Sequence, residues 1–198
     1  MADTITDTNY ATTGKPKVGG AVFRAPVGTT LPTNAYGKLD AGFVTMGAIS
    51  EDGVTNDGSR TTEDIKDWEG NTVLTPQTEK TDTFKMSFLD TKRLAVLQAV
   101  YGDDNVSGTL ETGITVKANA AELSEYAWVI DMVTTGGDPK RIVIPRGKIT
   151  EIGEITYKPG EAVLFESTIT AFPGSGSDQD THKEYIMDKA KAEAAANA

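Results

Sequence analysis

Residues 43–73 read FVTMGAISEDGVTNDGSRTTEDIKDWEGNTV. An apolar strand at the start is followed by an acidic loop rich in Gly and Asn, then by a second strand-like run ending at Trp68. Glu51-Asp52-Gly53 and Asn56-Asp57-Gly58 supply residue types that tolerate positive φ, so the chain can turn at either place without strain. So polar a loop has no apolar surface to bury in its own fold. It also lacks the nucleophile, base or metal ligands of an active site. Its composition points to a reaching or docking element rather than a catalytic one.

On the C-terminal side of this stretch, residues 81–90 alternate. Phe84, Met86 and Phe88 share one face and Thr83, Lys85 and Ser87 the other, the pattern of a half-buried strand. Asp90 is placed to cap a helix over residues 91–101, where Leu94, Leu97 and Tyr101 follow helical spacing, and Gly102 to end it. Residues 114–118 form a short strand. Residues 126–133 are apolar on both faces except at Asp131, as expected of a central strand. Gly136-Gly137-Asp138-Pro139 turns the chain into a strand at 141–144, and Pro145-Arg146-Gly147 turns it again. Isoleucines at 149, 152 and 155 fall three apart, a spacing that swaps faces in a strand and predicts a bulge near Gly153. Residues 163–172 alternate again, with Val163, Phe165 and Ile169 inward and Glu166, Thr168 and Thr170 outward.

On the N-terminal side, residues 18–24 read as a strand entered through Pro16 and left through Pro26. Residues 31–42 read as an extended connection broken by Pro32, Asn34 and Gly37. The expected fold is mainly β with one packed α-helix, an antiparallel β-sandwich or barrel-like pair of sheets. A chain of 198 residues holds one substantial core. The expected division is a mobile N-terminal arm at 1–14, a β domain at 15–173, and a linker with a short helical or disordered tail at 174–198. The tail has strong helix formers and little apolar surface, and a short isolated helix is marginal in water.

The chain has no Cys, which excludes a disulfide framework, a Cys-ligated zinc site and thiol catalysis. No apolar run approaches about 18 residues, and residues 1–17 lack a signal-peptide core, so a soluble protein outside the general secretory route is expected. The net charge of −10 opposes any reading in which the whole surface grips nucleic acid. Lys140, Arg141, Arg146 and Lys148 cluster about one short strand, whereas Glu63, Asp64, Asp67 and Glu69 make a dense acidic group. These are either two solvated faces or the acidic and basic edges of identical subunits that meet, complementary charge setting their register.

Little chemistry is encoded. A Ser-His-Asp arrangement would have to recruit His182, the only histidine, from the tail, and no GxSxG elbow precedes a helix. Residues 28–38 contain a Gly-Lys pair without the spacing of a phosphate loop. Asp103-Asp104-Asn105 lacks the spacing of a calcium loop and reads as a helix-end turn. No pair of carboxylates stands out for glycoside hydrolysis, and Trp68 and Trp128 read as core or subunit packing. No catalytic, cofactor-binding or metal-binding residue is assigned, and no cofactor is expected.

Four segments together resemble the major tail tube protein of long, non-contractile phage tails. They are GKPKVGGAVFRAPVGTTLPT, GAISEDGVTNDGSRTTEDIKDWEGN, TDTFKMSFLDTKRLAVLQAVYGDD and IPRGKITEIGEITY. The likeness spans residues 14–174 and lies in the order of elements rather than in any one motif. The resemblance implies a structural virion protein, not an enzyme, that forms hexameric rings stacked into a hollow tube. Each subunit would add strands to an inner β-barrel closed on hexamerisation, with the helix outside. Its partners would be itself, through ring closure and ring stacking, and the tape measure, tail terminator and distal tail proteins. DNA would pass through the lumen without specific binding, and no membrane is involved. The place implied is the virion tail, assembled in the host bacterial cytoplasm. Glu51, Asp52, Asn56, Asp57 and Arg60 are then candidate ring contacts, with Arg141 and Arg146 from the basic group, and residues 1–14 order only upon stacking. Two rivals belong to other classes. A β-sandwich binding module, of a baseplate or adhesin type that recognises carbohydrate or receptor, predicts a ligand groove. A hydrolase with paired carboxylates predicts a cleft.

Overall fold

The computed structural model describes residues 11–17, 20–175 and 179–196. Its main sheet runs, in spatial order, β3 (Val44–Thr45), β2 (Val22–Pro26), β10 (Tyr126–Thr134), β11 (Pro139–Ile152), β12 (Phe165–Phe172), β7 (Gln77–Phe88) and β4 (Ile49–Thr62). β1 (Gly14–Pro16) also pairs with β10, and β13 (Lys183–Ile186) with β11. Two small hairpins complete the strands, β5 (Ile65–Lys66) with β6 (Thr72–Leu74) and β8 (Val106–Thr109) with β9 (Gly113–Val116). The helices are α1 (Leu94–Tyr101) and α2 (Lys189–Ala196). Among the described residues every pairing is antiparallel and no barrel closes. The mainly β fold with a packed helix is as expected, but nine strands share one sheet rather than dividing into two comparable ones.

The core follows from the alternation. Phe84, Met86 and Phe88 of β7 are buried, as are Phe165, Ile169 and Ala171 of β12. They meet Val96, Leu97 and Val100 of α1 and Trp128 and Ile130 of β10 in one apolar cluster. β10 is the central strand, buried at every residue from Tyr126 to Asp131. Trp128 donates its indole N–H to the Gly147 carbonyl at 3.0 Å. A β-carbon at Gly147 would lie 3.0 Å from both Trp128 and Ile169, so a side chain at this crossing would press on the packed core.

Some local expectations give way. Pro145-Arg146-Gly147 does not turn the chain, because β11 runs unbroken through it. Tyr126 pairs with Gly147 and Trp128 with Ile144, leaving Pro145 and Arg146 opposite Ala127. This is a bulge, one of the settings in which a sheet tolerates a residue without an N–H. The second bulge falls at Thr150, between the Ile149–Ile169 and Glu151–Thr168 pairs, rather than at Gly153. α1 begins at Leu94, and Asp90 does not cap it; its carboxylate is held by the Arg93 guanidinium at 2.7 and 2.9 Å. Gly102 does end the helix, with φ of 96° and its N–H on the Gln98 carbonyl.

Residues 174–198 contain more than a linker and a helical segment. β13 joins the main sheet along β11, and the Asp138 carboxylate accepts the backbone N–H of Lys189 at 2.9 Å where α2 begins. The expected arm at 1–14 lies outside the described residues up to position 10, as do Val18 and Gly19 of the strand expected at 18–24 and residues 176–178 of the expected linker; that strand is observed at Val22–Pro26.

Candidate assembly interface

β4 and β7 form a ladder from the Ile49–Phe88 pair at its root to the Thr62–Gln77 pair at its far end, with β5 and β6 beyond. At the root, β7 carries core residues on one face. From Thr55 to Lys80 every residue is exposed, so the outer ladder stands clear of the body with solvent on both faces. The segment expected as a loop is therefore the edge strand of an arm. Glu51-Asp52-Gly53 still breaks the chain's course: residues 50–53 bulge opposite Ser87, and Gly53 takes φ of 74°. Asn56-Asp57-Gly58 instead runs extended in register with Thr83 and its neighbours. The reason is cross-strand bonding. Asn56 donates to the Asp82 carboxylate at 2.8 Å and the Thr83 carbonyl at 3.1 Å, Ser59 bonds Thr81, and Arg60 donates to Gln77 at 2.8 Å.

The tip is ordered by its own polar groups. The Asp67 carboxylate accepts the backbone N–H of Asn71 at 2.8 Å and of Glu69 at 2.9 Å. The bond from Asn71 leads in holding the Asp67 carboxyl below its usual value. Asp64 accepts from the Thr75 hydroxyl at 2.9 Å. On this braced turn sits Trp68, 103% exposed, with Ile65, Val73 and Leu74 exposed beside it. Ile65 and Leu74 are direct cross-strand partners and so share a face. Trp68 reads from sequence as core or subunit packing; its total exposure removes the core reading.

The basic group is paired within the chain. Arg141, 1% exposed, grips Asp131 through two bonds of 2.6 and 2.9 Å and donates to the carbonyls of Asn34 and Gly37. It is an internal clamp on the extended connection and is not on any surface. Arg146 pairs with Glu125 at 2.6 Å, Lys140 with Glu184 at 2.9 Å, and Lys148 with Glu122. Of the sequence-derived candidates, Glu51, Asp52, Asn56, Asp57 and Arg60 share β4, whereas Arg146 lies across the sheet on β11.

Two further groups, whose contacts the sequence does not reveal, complete the geometry. At the inner end of the arm Asp82 is buried and accepts from the Thr181 hydroxyl at 2.6 Å, from Asn56, and from His182. His182 also meets the Phe84 ring edge-on at 5.2 Å. The single histidine thus ties the C-terminal segment to the arm's root. Near the end of α1, Asp103 bonds the Tyr126 hydroxyl and Arg24, whose guanidinium lies 4.2 Å from the Tyr126 ring centroid. Among the described residues no group of three or more His, Asp or Glu converges as metal ligands would.

The nearest thing to a ligand groove is a cavity of about 840 Å³ between the start of α1 and the β8–β9 hairpin, lined by Leu89, Leu94, Leu110 and Ile114. Among the described residues no helix is long and apolar enough to cross a membrane. Residues 15–197 match the family model described as phage tail tube protein. No curated protein matches the chain.

Proposed function

Because this chain belongs to the phage tail tube protein family, whose members are structural parts of the virion tail, we propose that it is the subunit of a long, non-contractile tail tube made of stacked hexameric rings. The observation that carries this reading is the β4–β7 arm. A ladder exposed on both faces and tipped with a bare tryptophan contributes nothing to its own core, so its value lies in contact with another molecule. Both ends of the main sheet support the same reading. Among the described residues β4 has no neighbour on its outer side, and β3 covers β2 only at Phe23 and Arg24. Open edges invite pairing, and edge-to-edge pairing around a ring would close an inner barrel that no single copy forms.

In this scheme ring contacts are made by Glu51, Asp52, Asn56, Asp57 and Arg60 on the arm and by Arg146. Arg141 has no part, being enclosed in its own subunit. The net charge of −10 suits a conduit, since a negative lumen repels phosphate and lets DNA pass without binding. The tape measure, tail terminator and distal tail proteins are the further partners. The role is structural and not catalytic. Negative-stain electron microscopy of the concentrated protein tests the reading. Hollow rings or striated tubes with sixfold end views are expected, and particles that stay monomeric would overturn it.

A further inference from the structure

Resting on that reading, we propose that the arm tip of one copy docks through Trp68 into the groove between α1 and the β8–β9 hairpin of a second copy. The groove and the tip lie at opposite ends of one ladder. Leu89, in the groove wall, directly follows Phe88 at the inner end of β7, whereas the tip lies beyond Gln77 at the other end. Twelve residues of strand span about 40 Å, so the tip cannot fold back onto its own groove. Only another copy brings the two together, and the contact is head-to-tail, which propagates rather than closing as a symmetric dimer.

The chemistry of the two surfaces matches. Leu94 and Leu110 are exposed in the groove, and Trp68 is wholly exposed at the tip beside Ile65, Val73 and Leu74. A buried tryptophan contributes on the order of 200 Å². That is about a quarter of the ~800 Å² each partner buries in a stable interface. Tryptophan seated in a pocket is the usual anchor of such contacts. The tip carries Glu63, Asp64, Asp67 and Glu69 against a single Lys66. The groove lining balances Lys92 and Arg93 against Asp90 and Glu111, so the match between the two surfaces is apolar rather than electrostatic.

The absence of cysteine makes the test direct. Glu69→Cys and Glu111→Cys place thiols on the exposed tip and the exposed groove wall. Mixed and oxidised under assembly conditions, the two variants should give a disulfide-linked pair containing one of each, and neither alone should give as much. Trp68→Ala, at a site outside the core, should raise the concentration needed for tube growth by about tenfold or more. Wild-type tubes without the mixed disulfide, or undiminished tubes from Trp68→Ala, would overturn the docking and leave the tube reading in place. The mixed disulfide without any tubes would support the docking and overturn the tube reading.

Discussion

Arg141 illustrates how a charge is accommodated in the interior of this subunit. Its guanidinium is bidentate to Asp131 and uses its remaining donors on the Asn34 and Gly37 carbonyls, so the central strand, its neighbour and the extended connection meet at one side chain. Removing one member of a buried pair strands the other. Arg141→Ala should therefore destabilise the subunit by about 3–5 kcal/mol, read as a lower urea midpoint by tryptophan fluorescence. Asp82 supplies a pH-dependent counterpart. Burial raises its carboxyl pKa, but hydrogen bonds from Thr181, Asn56 and His182 outweigh burial and leave it below its ordinary value of 3.8. A carboxyl depressed in the folded state stabilises fully above 3.8 and loses that contribution as pH falls through the lower folded value. Unfolding midpoints measured from pH 6 down to pH 2 (roughly the span over which carboxylates titrate) should show the gap between wild type and Asp82→Asn closing at the acid end.

Among the elements, the sequence is legible wherever one face is buried and the other is not. Alternation in residues 81–90 and 163–172 marks β7 and β12, the apolar run after Tyr126 marks β10, and Gly102 marks the end of α1. The arm is illegible by the same principle. With both faces in water, residues 55–62 have no alternation to display, and their Asn, Asp and Gly read as turns although cross-strand bonds hold them extended. β13 is hidden because Lys183-Glu184-Tyr185-Ile186 is polar enough to pass for a tail, and what orders it is a partner, β11, some forty residues earlier. Arg141 reads as a surface cation for a related reason: its burial depends on Asp131 across the hairpin, which spacing alone does not reveal. The C-terminal segment has a structural consequence that can be measured. Deleting residues 179–198 uncovers the β11 edge at 140–143 and removes two of the donors to Asp82. Amide exchange at those β11 positions should accelerate and the urea midpoint should fall, whereas shortening the arm should change neither.

At the scale of the whole molecule, the subunit divides between a core that stabilises itself and surfaces that do not. The apolar cluster, Trp128 and the Asp131–Arg141 pair are complete within one chain. The outer arm and Trp68 are exposed in the single chain, and among the described residues the outer edge of β4 is unpaired. The proposed role of the arm is assembly and not folding. The most direct measurement replaces residues 63–76 with an Asn-Gly turn and compares this variant with the wild type by negative-stain electron microscopy, alongside circular dichroism and urea unfolding. An unchanged fold and midpoint are expected, with long hollow tubes from the wild type and no long tubes from the variant. Tubes of normal length from the armless protein would contradict that role.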